Sequence, residues 1–236
     1  IQARLPTELS IGRDSFFDFL RRYGLLVGKR RRRVKTTYSN HWLRKYPNLI
    51  KEFVPIRANQ LWVSDITYVE TKGGFVYLNL ITDAYSRKIV GWAIGETLEA
   101  KHTIEALRMA LKQVPKGTEG LIHHSDRGVQ YCSGDYVKML NKYHVQISMT
   151  ENGDPRENAI AERVNGILKD ERLNQMRLRS IEDAIKELKR IVPIYNGCRP
   201  HASLDMKTPE YAHCQSGELK RHWKTYYKTE QHSVSY

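Results

Sequence analysis

The stretch Gln60-Leu-Trp-Val-Ser-Asp-Ile-Thr-Tyr68 decides the fold of the central part of this chain. It is rich in β-branched and aromatic residues, which predicts a strand over 61–69 with a carboxylate, Asp65, in its middle. Alternation puts Trp62 and Asp65 on opposite faces of that strand. Both faces mix polar and apolar residues, so the pattern leaves open which face is buried. An isolated Asp in this setting is ordinarily a surface or turn residue.

The elements around this strand follow from hairpin and helix signals. Lys72-Gly-Gly74 predicts a hairpin turn rather than a phosphate loop, and Pro193 is expected to end or kink the last helix. The other strands are predicted at 75–82, 88–96, 120–124 and 146–149, and the helices at 103–114, 134–143, 158–173 and 181–195. Three hairpin-joined strands followed by alternating helices and strands predict an α/β fold, with a mixed five-stranded sheet flanked by helices.

Two further acids lie where they could join Asp65. Asp126 ends the stretch Leu121-Ile-His-His-Ser-Asp126, just after the predicted strand 120–124. Glu162 lies on the predicted helix, with 35 residues between it and Asp126. Hard divalent cations take oxygen ligands, so two strand-borne aspartates and one helix-borne glutamate can hold a pair of them. Other acids are close to Glu162 in sequence, namely Glu157, Asp170 and Glu171. Helical spacing places Asn158, Glu162, Asn165 and Lys169 along one polar stripe.

Five separated motifs resemble the D,D(35)E pattern of bacterial transposases and retroviral integrases. Asn158-Ala-Ile-Ala-Glu-Arg163 with Leu168-Lys-Asp-Glu171 is similar to the signature helix of the insertion-sequence type 3 family of transposases. The segment Tyr195-Asn-Gly-Cys-Arg-Pro-His-Ala-Ser-Leu204 with Thr208-Pro-Glu210 resembles the part of that family after the core. The resemblance implies a ribonuclease-H-like fold and selects Asp65, Asp126 and Glu162 as catalytic metal ligands.

The same resemblance implies a function. We expect a DNA transposase that cleaves transposon ends and joins their 3′-hydroxyls to a new phosphodiester, with two Mg²⁺ per active site and Mn²⁺ as a substitute. Its expected partners are double-stranded DNA, as transposon ends and target, and further copies of itself, in the bacterial cytoplasm on the nucleoid. The alternatives are a stand-alone nuclease, a DNA-binding regulator that has lost the chemistry, and an RNA-binding protein. No GxxxxGK[ST] motif and no run of ~18 apolar residues occurs, so neither ATP use nor a membrane span is expected.

The net charge of +13 is concentrated at the beginning of the 236-residue chain. Residues 1–58 hold 14 Lys and Arg against 4 Asp and Glu. The densest run supplies the predicted phosphate contacts Lys29, Arg30, Arg31, Arg32, Arg33 and Lys35, although a solvated linker is the alternative. We predict a small, basic, mainly helical DNA-binding or linker module over 1–57, partly like a helix-turn-helix, with a helix at 11–23. A catalytic core with its post-core helix follows over 58–212, and a polar tail over 213–236.

Outside the basic run, further DNA contacts are predicted near the three acids and in the post-core segment: His124, Arg127, Asn158, Arg163, Asn165, Lys169 and Arg199. Adjacent strand residues point to opposite faces, so His123 and His124 are not expected to bind one metal together. His123 is interpreted as structural, and His124 as a residue that either supports the metal ligands or faces DNA. For Arg199 a structural clasp is an equal alternative, and Asp83 is expected to serve a turn. The three cysteines, Cys132, Cys198 and Cys214, form no CxxC pair and fit a reducing compartment.

Overall fold

The computed structural model describes residues 11–26, 41–114, 119–151 and 158–218. They fall into two compact units, one within 1–34 and the other within 35–236. The first contains helix α1, Arg13–Arg22, whose apolar face buries Phe16 and Leu20. Gly24 follows the helix with φ of 64°, a left-handed conformation that glycine adopts readily at the end of a helix. The predicted phosphate contacts at 29–35 lie outside the described residues, as does the polar tail beyond 218.

The second unit is built on one mixed five-stranded sheet, which confirms the predicted α/β class. Its spatial order is β3-β2-β1-β4-β5. Strands β1 and β2 are antiparallel, as are β2 and β3, whereas β4 and β5 both run parallel to β1. The strand bounds are Leu61–Thr71 (β1), Gly74–Asp83 (β2), Ile89–Gly95 (β3), Ile122–Ser125 (β4) and Gln146–Met149 (β5).

Helices cover both faces of this sheet. Their bounds are Ala100–Leu111 (α2), Gly134–Lys142 (α3), Ala159–Glu171 (α4), Ile181–Cys198 (α5) and Pro209–His213 (α6). One apolar cluster joins the sheet to α2 and α3 and includes Trp62, Leu107 and Tyr136. A second joins the opposite face to α4 and α5 and includes Leu78 and Leu168. Among the described residues, no helix is both long and apolar enough to cross a membrane.

The sequence predicts that Pro193 ends or kinks the helix at 181–195. The helix does not end there, because α5 continues to Cys198. The turns after the proline are tied to the sheet. The side-chain amide of Asn196 accepts from the N–H of Ile89 at 2.9 Å and donates to its carbonyl at 3.0 Å. The hydroxyl of Tyr195 donates to the carbonyl of Arg87 at 3.0 Å. These tertiary contacts offset the loss of the backbone hydrogen bond that a proline cannot donate within a helix.

The predicted boundary at residue 57 also differs from the observed packing. The segment 41–57, placed by sequence in the basic module, lies on the sheet unit. Leu43 and Tyr46 pack against the α2–α3 side of the core, and the carbonyl of Pro47 accepts from the N–H of Met149 at 3.2 Å. Beyond the predicted boundary at residue 212, Ser216 forms an antiparallel bridge with Arg57 of this segment. The polar, irregular sequence of 41–57 hides this packing, since only scattered side chains are buried. A DNA-binding role for 1–57 stays a prediction.

Candidate active site

The pairing of β1 with β4 brings two of the three predicted acids together. The two strands run parallel, and Val63 is in register with His124. Asp65 and Asp126 each lie two residues beyond that pair, at the carboxyl end of β4. A step of two residues keeps a side chain on the same face of an extended chain, so both carboxylates reach the same side at adjacent positions. Val63 packs with Ala161 of α4, which shows that this side is the one covered by α4.

Helix α4 carries Glu162 in its first turn and is fixed to β1 on both sides of Asp65. The side-chain amide of Asn165 donates to Asp65 Oδ2 at 2.7 Å. The amide of Asn158 donates to the carbonyl of Ser64 at 2.9 Å. These amides lie four residues before and three residues after Glu162, which puts all three on one side of the helix. The helix therefore directs Glu162 toward the two aspartates.

The electrostatics of Asp65 indicate that Asp126 and Glu162 lie close enough to act on its charge. Burial, then the negative charge of Asp126, and more weakly that of Glu162, raise the pKa of Asp65 from 3.8 to about 7, against the lowering effect of its hydrogen bond from Asn165. A partly buried group of oxygen donors with excess negative charge is the chemistry that hard divalent cations bind. Within the described ranges, no three His, Cys, Asp or Glu side chains already stand at metal-ligand spacing. The fit to a cation therefore rests on the donor chemistry and on the raised pKa of Asp65.

Three of the predicted DNA contacts are corrected by burial. His124 is fully buried and bonds through Nδ1 to Ser148 Oγ at 2.8 Å, so it presents no surface to DNA. Asn158 and Asn165 are also buried, and their amides hold α4 on β1. The polar stripe was predicted correctly as one side of the helix, but it faces the strand rather than solvent. Sequence reasoning thus missed the role of Asn165 as a positioning residue for Asp65.

The remaining predicted contacts divide into two groups. Arg163 is exposed and Arg127 half-buried, and the ammonium of Lys169 lies 3.2 Å from the centre of the Tyr68 ring. Their DNA contacts stay predictions. Arg199 forms a two-pronged ion pair with Glu171, at 2.6 and 3.0 Å, which ties the segment after α5 to the end of α4. This geometry favours the structural clasp over a DNA contact for Arg199.

Two residues that could be mistaken for catalytic groups are structural, as predicted. His123 is buried, and the hydroxyls of Ser64 and Tyr136 lie 2.8 and 2.9 Å from its Nε2. Burial lowers the pKa of His123 to about 3, so the ring stays neutral. Asp83 accepts hydrogen bonds from the backbone N–H and the hydroxyl of Ser86, at 2.7 and 2.8 Å, and so closes the turn between β2 and β3.

Comparison with known proteins identifies the family. Two models of the integrase core domain match this chain, at residues 55–155 and 143–209. The insertion element IS600 uncharacterized 31 kDa protein of Shigella sonnei is 38% identical over 213 residues, which are 87% of this chain and 78% of that protein. The chain belongs to the insertion-element transposases that carry an integrase core. Members of this family are DDE polynucleotidyl transferases, and their chemistry normally uses a divalent metal.

Two more transposases of the family extend this likeness. The transposase for IS629 of Shigella sonnei is 40% identical over 147 residues, which are 62% of this chain and 48% of that protein. Transposase InsF for insertion sequence IS3A of Escherichia coli is 37% identical over 144 residues, which are 61% of this chain and 50% of that protein. The chain therefore spans about half the length of these two relatives.

A solved structure supports the fold of the transposase core. The catalytic core domain of HTLV-2 integrase, solved with magnesium in a trimeric form, superposes with a TM-score of 0.53 at 19% identity. The match covers 68% of this chain and 99% of the viral domain. The mixed sheet with helices on both faces is thus the fold of a retroviral integrase core, which confirms the predicted ribonuclease-H-like architecture.

Proposed function

We propose that this transposase cleaves the ends of its insertion element and transfers the resulting 3′-hydroxyls to a phosphodiester of target DNA, at Asp65, Asp126 and Glu162. The proposal is supported by the pairing of β1 with β4, which places Asp65 and Asp126 side by side, and by the charges of Asp126 and Glu162, which contribute to the raised pKa of Asp65. The three proposed ligands are all carboxylates, and their oxygen donors suit Mg²⁺, with Mn²⁺ as a substitute. When bound, a pair of such ions would stabilise the entering and leaving oxygens of an in-line displacement at phosphorus.

The protein groups prepare that displacement. Asp65 has a pKa of about 7 and must be ionised to bind a cation, so part of the wild-type protein gives up a proton on binding. Asn165 holds Asp65 Oδ2 through a 2.7 Å hydrogen bond, and Asn158 keeps the beginning of α4 on β1. Ligands fixed in this way lose less entropy when the substrate phosphate arrives. Water as the nucleophile gives strand cleavage, and a DNA 3′-hydroxyl gives strand transfer at the same site.

The expected partners fit this chemistry. The net charge of +13 favours binding to the DNA backbone with strong salt dependence. We propose that double-stranded DNA, as transposon ends and target, is bound by an assembly of two or more copies of the chain in the bacterial cytoplasm. The two ends of an insertion element must be joined to one target, which is naturally done by symmetry-related subunits.

The test compares three variants, Asp65→Asn, Asp126→Asn and Glu162→Gln, with a surface control, Asp135→Asn. The substrate is a duplex carrying the end of the insertion element, with Mg²⁺ or Mn²⁺. Each active-site variant should lose cleavage and joining by on the order of 10³-fold or more, because it removes a charge that holds the cations. DNA affinity should change by only about twofold, and the control should behave as wild type.

Two further outcomes separate the alternatives. A substrate with a preformed 3′-hydroxyl bypasses cleavage, and wild-type protein that cuts DNA but never joins this substrate would be a nuclease. Wild-type protein that binds the end but neither cuts nor joins it with either metal would be a regulator. A triple variant that remains fully active would refute the assigned site.

A further inference from the structure

Trp42 is the most exposed of the large apolar side chains that the structure describes, with 92% of its surface accessible. A single exposed apolar residue needs no special explanation in most proteins. Trp42 differs in two respects, which are the rigidity of its support and its position beside the active site.

The backbone on both sides of Trp42 is anchored to the core. His41 Nε2 donates to the carbonyl of Arg127 at 2.8 Å. The next residue, Leu43, packs against the α2–α3 side of the core, as does Tyr46. The segment then follows β5, where Leu49 donates its N–H to a serine hydroxyl at 2.9 Å. Trp42 is thus held outward by fixed neighbours on both sides, so its ring is presented to solvent at little entropic cost.

The position of Trp42 is set by the contact between His41 and Arg127. Arg127 directly follows Asp126, so His41, the residue before Trp42, is fixed beside a proposed metal ligand. That location is the carboxyl end of β4, where the three carboxylates converge. A group there meets the DNA close to the reacting phosphodiester, rather than at a remote surface.

Cationic side chains lie close to Trp42 in the sequence. Arg44 and Lys45 are exposed on the same short segment. The charges of Lys45 and Arg127 lower the pKa of the Cys132 thiol, against the larger raising effects of burial and of the charge of Asp126, so both cations lie within electrostatic range of that thiol. Phosphate groups of DNA would match the charge of these side chains.

We propose that Trp42, flanked by Lys45 and Arg127, forms a stacking platform for an unpaired base of the DNA end, next to the phosphodiester that is cut. This inference rests on the proposed function and adds a specificity-determining contact to it. An indole stacks on the face of any base, and the neighbouring cations bind the phosphates on either side. The face of a base becomes available only where pairing is lost, and stacking on Trp42 would offset the unpairing cost. The cationic surroundings favour DNA over an apolar surface of another protein.

The experiment measures the binding of one short duplex of fixed sequence, prepared once with a blunt end and once with an unpaired end. Ca²⁺ replaces Mg²⁺, so that cleavage does not consume the probe. Wild-type protein should bind the unpaired end about tenfold more tightly than the blunt end. Trp42→Ala should abolish this preference, and Trp42→Phe should keep most of it, since the smaller ring still stacks. A 5-iodouracil placed in the unpaired end should photocrosslink to the peptide that contains Trp42.

The matched control is Tyr143→Ala, which removes another exposed aromatic ring. Tyr143 follows α3 and precedes β5, so it lies at the end of the sheet opposite to Asp126. This variant should keep the full preference for the unpaired end.

Three results would overturn the proposal. They are an unchanged preference in Trp42→Ala, an equal loss of affinity for both probes, and a crosslink to another segment. A change of oligomeric state without any change in DNA binding would mean that a second copy covers Trp42, which also overturns it. The preference is measured without catalysis, so a protein that keeps it but never cuts DNA would refute the proposed function alone.

Discussion

Replacing Asp65 with Asn should make the metal-free protein more stable while abolishing its chemistry. The side chain keeps its shape, and its remaining oxygen can still accept the hydrogen bond from Asn165. The variant loses a negative charge, which is disfavoured in the wild type by burial and by the charge of Asp126. The native site therefore holds Asp65 at a cost in folding free energy, as functional sites commonly do.

The magnitude follows from proton linkage. The pKa of Asp65 rises from 3.8 in the unfolded chain to about 7 in the folded protein. Each tenfold difference in proton affinity corresponds to about 1.4 kcal/mol. The ionised side chain of Asp65 can therefore destabilise the folded protein by at most about 4 kcal/mol. Because the pKa of Asp65 is higher in the folded protein, protonation of Asp65 stabilises the fold. This contribution to the free energy of unfolding is complete below about pH 4 and is lost as the pH rises to about 7. We expect Asp65→Asn to be about 2–4 kcal/mol more stable than wild type at about pH 8, and nearly equal at about pH 4.

Urea unfolding in EDTA, repeated across this pH range, measures the difference. The control is Asp135→Asn, which neutralises an exposed aspartate on α3 and should change stability by less than about 0.5 kcal/mol. Saturating Mg²⁺ should then stabilise the wild type more than Asp65→Asn, because only the wild type has the full set of ligands. If wild type and Asp65→Asn show the same stability at every pH, the three carboxylates do not share a site, and the reasoning fails.

Two more predictions concern side chains that only the structure explains. Asn165→Ala removes the donor to Asp65 and should lower metal-dependent cleavage by about 10- to 100-fold. Because Asn165 is buried and holds α4 on β1, this variant should also lose about 1–3 kcal/mol of stability. Asn174→Ala, which removes an exposed amide, should have no effect. Cleavage titrated against Mg²⁺ checks this, and an unchanged metal dependence would contradict it. Pro193→Ala restores a backbone donor inside α5 and should raise the free energy of unfolding by about 1–3 kcal/mol in urea titrations. A loss of stability would show that the proline ring itself is needed for packing.

The sequence alone located most of the elements and the three acids. The run around Asp65 and the glycines at the β1–β2 turn are local signals, and the structure agrees with each. Such signals survive because strand alternation, turn chemistry and helical periodicity depend on neighbours in the chain. The structural roles of His123 and Asp83 followed from the same local reasoning.

The tertiary structure alone decided what those residues face. Alternation separated Trp62 from Asp65, but only the packing of α4 on β1 showed that the Asp65 side is covered by Glu162 and Asn165. The same long-range packing buried His124, which the sequence had placed near DNA, and carried α5 past Pro193. Periodicity fixes the relative directions of the side chains along one helix or strand. Burial depends on which elements from distant parts of the chain pack against it. The chemistry could therefore be read from the sequence, and the positioning of that chemistry required the fold.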